Sequence, residues 1–291
     1  MGPRRALTFG VSGQVIIACA IDRRFAELAG VMLYSLEVNG DVPDAELWVI
    51  GDGLRQSDKN KIQACTSREI NFYDLDDGTV QHIDGLKTTS NWSRVVYARL
   101  FLPELLSSDR GNLLYLDADT MIKGSLRPLQ DLDMSNAVAA ALGGPSRHNR
   151  QLGRPEAAFY FNSGVVLLNV GEWQKQGLTT RAIELLRGGI FAFPDQDVLN
   201  LLAEGQTIAL EPKWNHQHAK SIPSDVRIIH FTHAKPNTTY CIHPEKATFL
   251  EYRSKTPWAN ARLRTKMDRR LNRIAHSVKR RWDRLNKALR S

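Results

Sequence analysis

Residues 113–129 read Leu-Leu-Tyr-Leu-Asp-Ala-Asp-Thr-Met-Ile-Lys-Gly-Ser-Leu-Arg-Pro-Leu. Residues 113–116 are wholly apolar and too few for a helix, so they predict a short buried strand. Asp117 and Asp119 follow at once, separated by the small Ala118. In a parallel sheet, ligands bind beyond the carboxyl ends of the strands. Two carboxylates one residue apart can converge on one hard cation if the chain bends there. Such a cation neutralises the charge of a diphosphate. The plainer alternative is a pair of loop acids capping the following turn.

The flanking sequence supplies the sheet this strand needs. Residues 14–21 form a continuous run of β-branched and small apolar side chains, with Asp22 at its end. Phe25, Leu28, Ala29, Met32 and Leu36 then recur at helical spacing. Residues 45–51 and 70–75 read as further strands, with a helix over 57–64 between them. Residues 91–106 read as a helix that Asn91 or Ser93 can cap and Pro103 ends or kinks. Downstream, 137–142 is an apolar strand and 159–169 reads as strand, turn and strand. Residues 179–187 and 196–204 are helical, and 227–231 is a late strand that includes His230. Strands alternating with helices in this way predict a parallel, doubly wound α/β sheet. No repeat or low-complexity linker interrupts the pattern.

Composition narrows the class. A chain of 291 residues with 42% hydrophobic content can bury a sizeable core. The three cysteines, Cys19, Cys65 and Cys241, lie far apart and form no CxxC pair, which argues against a disulfide framework or a thiolate zinc site and fits a reducing compartment. The first residues carry Arg4 and Arg5 but no apolar signal core, and no run reaches membrane-spanning length. The expectation is a cytoplasmic protein, peripheral at the inner face of the plasma membrane.

The formal charge of +8 is unevenly placed. Residues 262–290 hold twelve Lys/Arg and two Asp, a local net of +10, so the rest of the chain sums to −2. In this segment Leu263, Met267, Leu271, Ile274, Val278, Trp282, Leu285 and Leu289 recur every three or four residues. That is an amphipathic helix with a basic face. It suits an anionic membrane surface, into which the apolar stripe dips while Arg and Lys meet lipid headgroups. Packing on the body is the alternative. Nucleic acid is disfavoured, because neither aromatic interleaving nor a nucleic-acid motif is present.

Two enzyme groups use the Asp-x-Asp spacing. In the haloacid dehalogenase phosphatases it stands near the N-terminus, and a second acidic motif follows a late strand. Here it follows some 115 residues of βαβ structure, and no such second motif appears. Taken in order, Ala20 and Asp22, Tyr97-Ala98-Arg99, residues 113–129, FYFNSGVVLLN (159–169), PDQDVLN (194–200) and IIHF with the later Lys235-Pro236 closely resemble glycosyltransferase family 8. That family includes bacterial lipopolysaccharide α-galactosyltransferases and α-glucosyltransferases, and glycogenin. The likeness covers about residues 14–240. Any one of these motifs alone is weak; their order is specific.

The resemblance implies a GT-A fold over residues 14–250, followed by the basic segment at 258–291. It implies a UDP-sugar donor (UDP-galactose or UDP-glucose), Mn²⁺ or Mg²⁺, retention of anomeric configuration, and an oligosaccharide or lipid-linked glycan acceptor such as lipopolysaccharide. It also implies roles. Asp117, Asp119 and His230 match the metal ligands. Ala20, Asp22, Arg24 and Ala118 match positions around the nucleotide. Arg99, Asn162 and Ser163 match contacts to the donor sugar, and Lys235 the contact to the diphosphate. Asp195 and Gln196 match the pair nearest the reacting sugar.

Each of these residues also has an ordinary reading. Asp22 can cap the helix starting near Phe25. Arg99 alone is a solvated helix charge, Asn162 a turn-former, and a lone His230 a satisfied strand-end residue.

The chain departs from the family pattern in two places. Gly143 and Gly144 stand where the family has an Asp, leaving Arg147, His148 or Asn149 to supply the contact. The His230-to-Lys235 stretch is one residue shorter than the family's and lacks its Gly and Trp. The rival readings are a phosphatase and a non-catalytic nucleotide-binding relative of the family.

Overall fold

The computed structural model describes residues 15–75, 94–107 and 111–268. Its strands are β1 (Ile16–Asp22), β2 (Glu46–Asp52), β3 (Ile70–Asp74), β4 (Asn112–Leu116), β5 (Thr120–Ile122), β6 (Ala139–Pro145), β7 (Phe159–Asn169), β8 (Thr207–Ala209) and β9 (Ile228–His230). Among the described residues, seven form one sheet in the order β3-β2-β1-β4-β7-β6-β8, and β5 pairs with β9 in a small second sheet.

β1, β2, β3 and β4 pair in parallel, as do β6 and β8. β7 is antiparallel to both β4 and β6, so it alone runs the other way. The sheet is therefore mostly parallel, with one reversed strand in an otherwise doubly wound arrangement. Reversal brings the beginning of β7 to the edge where β1 and β4 end, and the site is built there.

Alternation along the strands sorts side chains into two cores, one on each face. Ile17, Cys19, Ile21, Leu114 and Leu116 pack on one face, whereas Ile16, Ala18, Leu113 and Tyr115 pack on the other. The helix Ala26–Asn39 lies in the first core and is buried on nearly all sides, which explains its apolar composition throughout. Burying a single Leu or Ile in such a layer contributes about 1.5–3 kcal/mol. All three cysteines are free and buried, and burial pushes the Cys19 and Cys65 thiols up to about 12.

The strand–turn–strand expected over 159–169 is one continuous strand. Between Ala141↔Val166 and Gly143↔Phe161, β6 advances two residues while β7 advances five. Asn162, Ser163 and Gly164 thus leave the β6 ladder without reversing the chain. Polar and glycine residues inside a strand carry the same local signal as a turn, which is why the two look alike in sequence. The helix expected over 91–106 is a 3-10 turn, Arg94–Tyr97, followed by the helix Ala98–Leu105, with Pro103 inside it. Its expected caps, Asn91 and Ser93, lie outside the described residues.

The segment after the helix Lys246–Arg253 is tied to the body. Arg253 is buried and donates to Glu27 (Nε–Oε1 2.6 Å) and to the Ala261 carbonyl at 2.6 Å. Arg264 donates to the Arg24 carbonyl at 2.7 Å. A reciprocal capping pair then forms between Thr265 and Asp268, where a helix begins at 266. Most of the basic amphipathic segment, residues 269–291, lies outside the described residues. Among the described residues no helix is long and apolar enough to cross a membrane.

Candidate active site

The site starts at the end of β4. Asp117 leaves the strand with its N–H donated to the Gly164 carbonyl at 2.7 Å, and its own carbonyl accepts from the Thr120 N–H and hydroxyl. This turn sets Asp117 and Asp119 side by side. His230 arrives through the small sheet, where Thr120 stands opposite it, and the Phe231 N–H donates to the Asp119 carbonyl at 2.9 Å. A main-chain ladder therefore joins residues more than a hundred positions apart.

Each carboxylate has one oxygen held by a cation. Asp117 Oδ1 accepts from Arg99 Nη2 at 2.8 Å, and Asp119 Oδ2 accepts from Lys235 Nζ. The other oxygens face the imidazole, with His230 Nε2 lying 3.3 Å from Asp119 Oδ1 and 3.7 Å from Asp117 Oδ2. One ligand atom from each of the three residues lies within 4.8 Å of the others. Two carboxylate oxygens and a neutral imidazole suit a borderline or hard divalent ion such as Mn²⁺. The backbone makes room for this set. A Cβ on Gly164 would stand 2.2 Å from His230 Cε1 and 2.6 Å from Asp117 Oδ2. Asp119 is buried, which alone would raise its pKa; the Lys235 ammonium, joined by His230 when its ring is protonated, outweighs this and holds the carboxyl well below the usual range.

Arg99 is 5% exposed, so it is not the solvated helix charge it would be on an ordinary surface. Nη1 donates to the Ser163 carbonyl and hydroxyl, both at 2.7 Å, and Nη2 to Asp117 and to Tyr115 Oη at 3.3 Å. Its guanidinium also stacks 4.3 Å from the centre of the Tyr115 ring. Arg99 Nε lies 3.2 Å from Asp195 Oδ2 without the alignment of a hydrogen bond. Burying a guanidinium costs several kcal/mol unless its donors are met, and here most are. Asp195 is buried too, and burial raises its pKa; Arg99 opposes that shift, and the Asp117 charge adds to it.

Gln196 is engaged through both ends of its amide. Its Oε1 accepts from Asn162 Nδ2 at 3.0 Å and the Ser163 N–H at 3.2 Å, and its Nε2 donates to Tyr160 Oη at 2.8 Å. Lys235 donates to Asp119 and, at 2.8 Å, to the Phe231 carbonyl. An ammonium has three donors, so one remains. Beside it is a cavity of about 510 Å³ lined by Thr232, His233, Ala234, Lys235 and Tyr240.

At the carboxyl ends of the neighbouring strands, Ala18 of β1 pairs with Tyr115 of β4, so Ala20 and Asp117 each lie two residues beyond that pair. Asp22 caps the turn Arg23–Phe25 by accepting from the Arg24 N–H at 2.8 Å, and it also pairs with the Arg24 side chain. Ala118 is buried between the two acids.

At Gly143 a side chain is sterically barred, because a Cβ would meet the Tyr160 carbonyl at 2.5 Å; at Gly144 a Cβ would meet nothing within 4 Å. Of the three residues suggested as replacements, Asn149 is fully buried and donates to the Ala158 carbonyl. His148 instead stacks on Tyr160, 5.4 Å between ring centres, beside the partner of Gln196.

Tyr115, Tyr160, Asp197, Asn215 and Gly164 belong to the site although none had been assigned to it. Tyr115, Tyr160, Gly164 and Asp197 lie inside motifs quoted above and share their signal. Asn215 has none, because it follows a one-turn 3-10 helix, Pro212–Trp214, in a polar loop.

Comparison with known proteins shows which family the chain resembles and which solved structures share its fold. The model of a family described as glycosyl transferase family 8 matches residues 16–254. A lipopolysaccharide 1,2-glucosyltransferase of Escherichia coli (strain K12) is 30% identical over 267 residues, covering 83% of this chain and 78% of that protein. A lipopolysaccharide 1,3-galactosyltransferase of Salmonella typhimurium is 26% identical, covering 85% and 80%. Among solved structures, the galactosyltransferase LgtC in complex with donor and acceptor sugar analogs has the same fold. Its TM-score is 0.70 at 22% identity, over 84% of this chain and 99% of that one.

Proposed function

Because the chain belongs to glycosyltransferase family 8, we propose that it transfers a hexose, glucose or galactose, from a UDP-sugar to a lipid-linked or lipopolysaccharide-type glycan with retention of anomeric configuration. The observation that carries this reading is the paired use of Asp117 and Asp119, each with one oxygen anchored and the other turned to His230. These three residues would hold Mn²⁺ or Mg²⁺, which when bound would offset the charge of the donor diphosphate.

The remaining roles follow from chemistry. The spare donor of Lys235 suits a phosphate oxygen and would stabilise the leaving diphosphate. Asp22, Arg24, Ala20 and Ala118 would flank the uridine. Asp195 would bind sugar hydroxyls, with Arg99, Asn162 and Ser163 fixing the pose.

Gln196 would lie on the sugar face where a nucleophile could stand. Its carbonyl oxygen already accepts two hydrogen bonds, and an amide is a poor nucleophile. We therefore favour front-face displacement assisted by the leaving phosphate over a covalent intermediate on this residue.

The basic segment would bring the enzyme to anionic lipid, where such acceptors reside. Incubation with UDP-glucose or UDP-galactose, Mn²⁺ and an acceptor glycan, with proton NMR of the new linkage, tests the reading. An α-linked product supports retention. A β-linked product contradicts it.

A further inference from the structure

A directed chain of hydrogen bonds crosses the site from Asp197 to His230. Asp197 Oδ1 accepts from Tyr160 Oη at 2.6 Å. The Tyr160 oxygen then accepts from Gln196 Nε2 at 2.8 Å. Gln196 Oε1 accepts from Asn162 Nδ2 at 3.0 Å, and Asn162 Oδ1 from Asn215 Nδ2 at 3.0 Å. Asn215 Oδ1 stands 2.9 Å from His230 Nδ1.

An amide can usually be turned over, which would reverse such a chain. Two main-chain donors prevent that here. The Ser163 N–H points at Gln196 Oε1 (3.2 Å) and the Gly164 N–H at Asn162 Oδ1 (3.1 Å). A backbone N–H can only donate, so both oxygens are fixed as oxygens. Asn162 Oδ1 then requires the NH₂ of Asn215, and the carbonyl of Asn215 is left for the imidazole. A carbonyl cannot donate, so the His230 proton must sit on Nδ1.

We infer that Asn215 is a positioning residue that fixes the His230 tautomer, leaving Nε2 as a bare lone pair turned to Asp117 and Asp119. This rests on the reading of His230 as a metal ligand and adds how that ligand is prepared. Partners of this kind orient ligating histidines, and their loss costs roughly 10–100-fold in metal affinity or activity. Asn215 is fully buried, so no solvent molecule competes freely for its amide. The same relay places Asn162 and Gln196, two residues assigned to the donor sugar, in line with the ligand.

The test uses the full chain labelled with ¹⁵N-histidine, free of metal and at a pH where the ring is neutral. NMR of the unmodified protein is expected to show His230 Nδ1 protonated and Nε2 unprotonated. An Asn215→Asp variant keeps the acceptor and is expected to keep that signature. An Asn215→Leu variant, checked for folding by circular dichroism, is expected to lose it and to bind Mn²⁺ roughly 10–100-fold more weakly. A proton on Nε2 in the unmodified protein overturns the inference whether or not the leucine variant folds. So does a folded leucine variant with an unchanged tautomer and unchanged Mn²⁺ affinity. If Mn²⁺ titration finds no cation binding to the unmodified protein, the metal reading fails while the tautomer result still stands on its own.

Discussion

Gly164 lies so close to His230 that a Cβ would stand 2.2 Å from the imidazole Cε1. The Gly164 backbone is held at the same time, because its carbonyl accepts the Asp117 N–H at 2.7 Å. A side chain there has no room to shift into and must push the ring. We expect Gly164→Ala to fold and to lose at least about a hundredfold in sugar-nucleotide turnover, since a displacement of about 1 Å at a site costs that much. Initial-rate assays beside a thermal melt check this; a rate within about twofold of the parent, well below any such loss, would contradict it.

Arg99 is the shared partner of Asp117, Ser163 and Asp195. Burial already raises the Asp195 pKa and Arg99 opposes the rise. Removing the guanidinium in Arg99→Met lets that pKa climb further. A carboxyl whose folded pKa exceeds its unfolded one favours folding below the unfolded value, and that contribution is lost as pH rises through the folded value. The variant should therefore lose stability relative to the parent as pH is raised from about 4, the unfolded carboxylate value, toward neutrality. Urea unfolding over that range reads the difference. A gap that narrows as pH rises counts against the argument.

Arg253 and Glu27 form a buried pair that fastens the C-terminal segment to the body, with Asn237 on the second Glu27 oxygen at 2.8 Å. Taking away one partner leaves a buried charge unmet, at a cost of about 3–5 kcal/mol. Arg253→Ala should show a loss of that size in chemical denaturation. The double variant Arg253→Met with Glu27→Gln should recover part of it, because neither residue then carries an unmet charge.

Much of this was legible beforehand, and particular residues explain why. β1, β2 and β4 are nearly continuous apolar runs, because both faces of a central parallel strand are buried. The Asp-x-Asp pair could be placed because it ends such a run. β8 was not anticipated: it is three half-buried or exposed residues, Thr207–Ala209, at the sheet edge, where no apolar pattern is needed. The course of β7 departs from the strand–turn–strand its sequence suggests, because its polar residues serve the site and not a turn. Arg99 is placed at the site by the family resemblance alone, since burial of a cation depends on acids that only the fold brings near it. Asn215 carries no sequence signal, because it follows a one-turn 3-10 helix in a polar loop.

The basic segment makes a separate prediction. Arg253 and Arg264 anchor the chain as far as Arg264, and the Thr265–Asp268 cap follows. A chain ending at Asp268 keeps these contacts and loses nine of the cations counted from Arg262 onward. Cosedimentation with vesicles of anionic lipid should retain the full chain and release the shortened one, most strongly at low salt, where headgroup attraction is least screened. Equal binding by the two would remove the membrane role from this segment.

The central claim is that Asp117, Asp119 and His230 form a metal–diphosphate site. Calorimetric titration of UDP into the protein, with and without Mn²⁺, tests it most directly when repeated on Asp119→Ala. The account predicts UDP binding that requires Mn²⁺ and is abolished in the variant. UDP binding that ignores both Mn²⁺ and the Asp119 carboxylate, or no binding under any of these conditions, would contradict it.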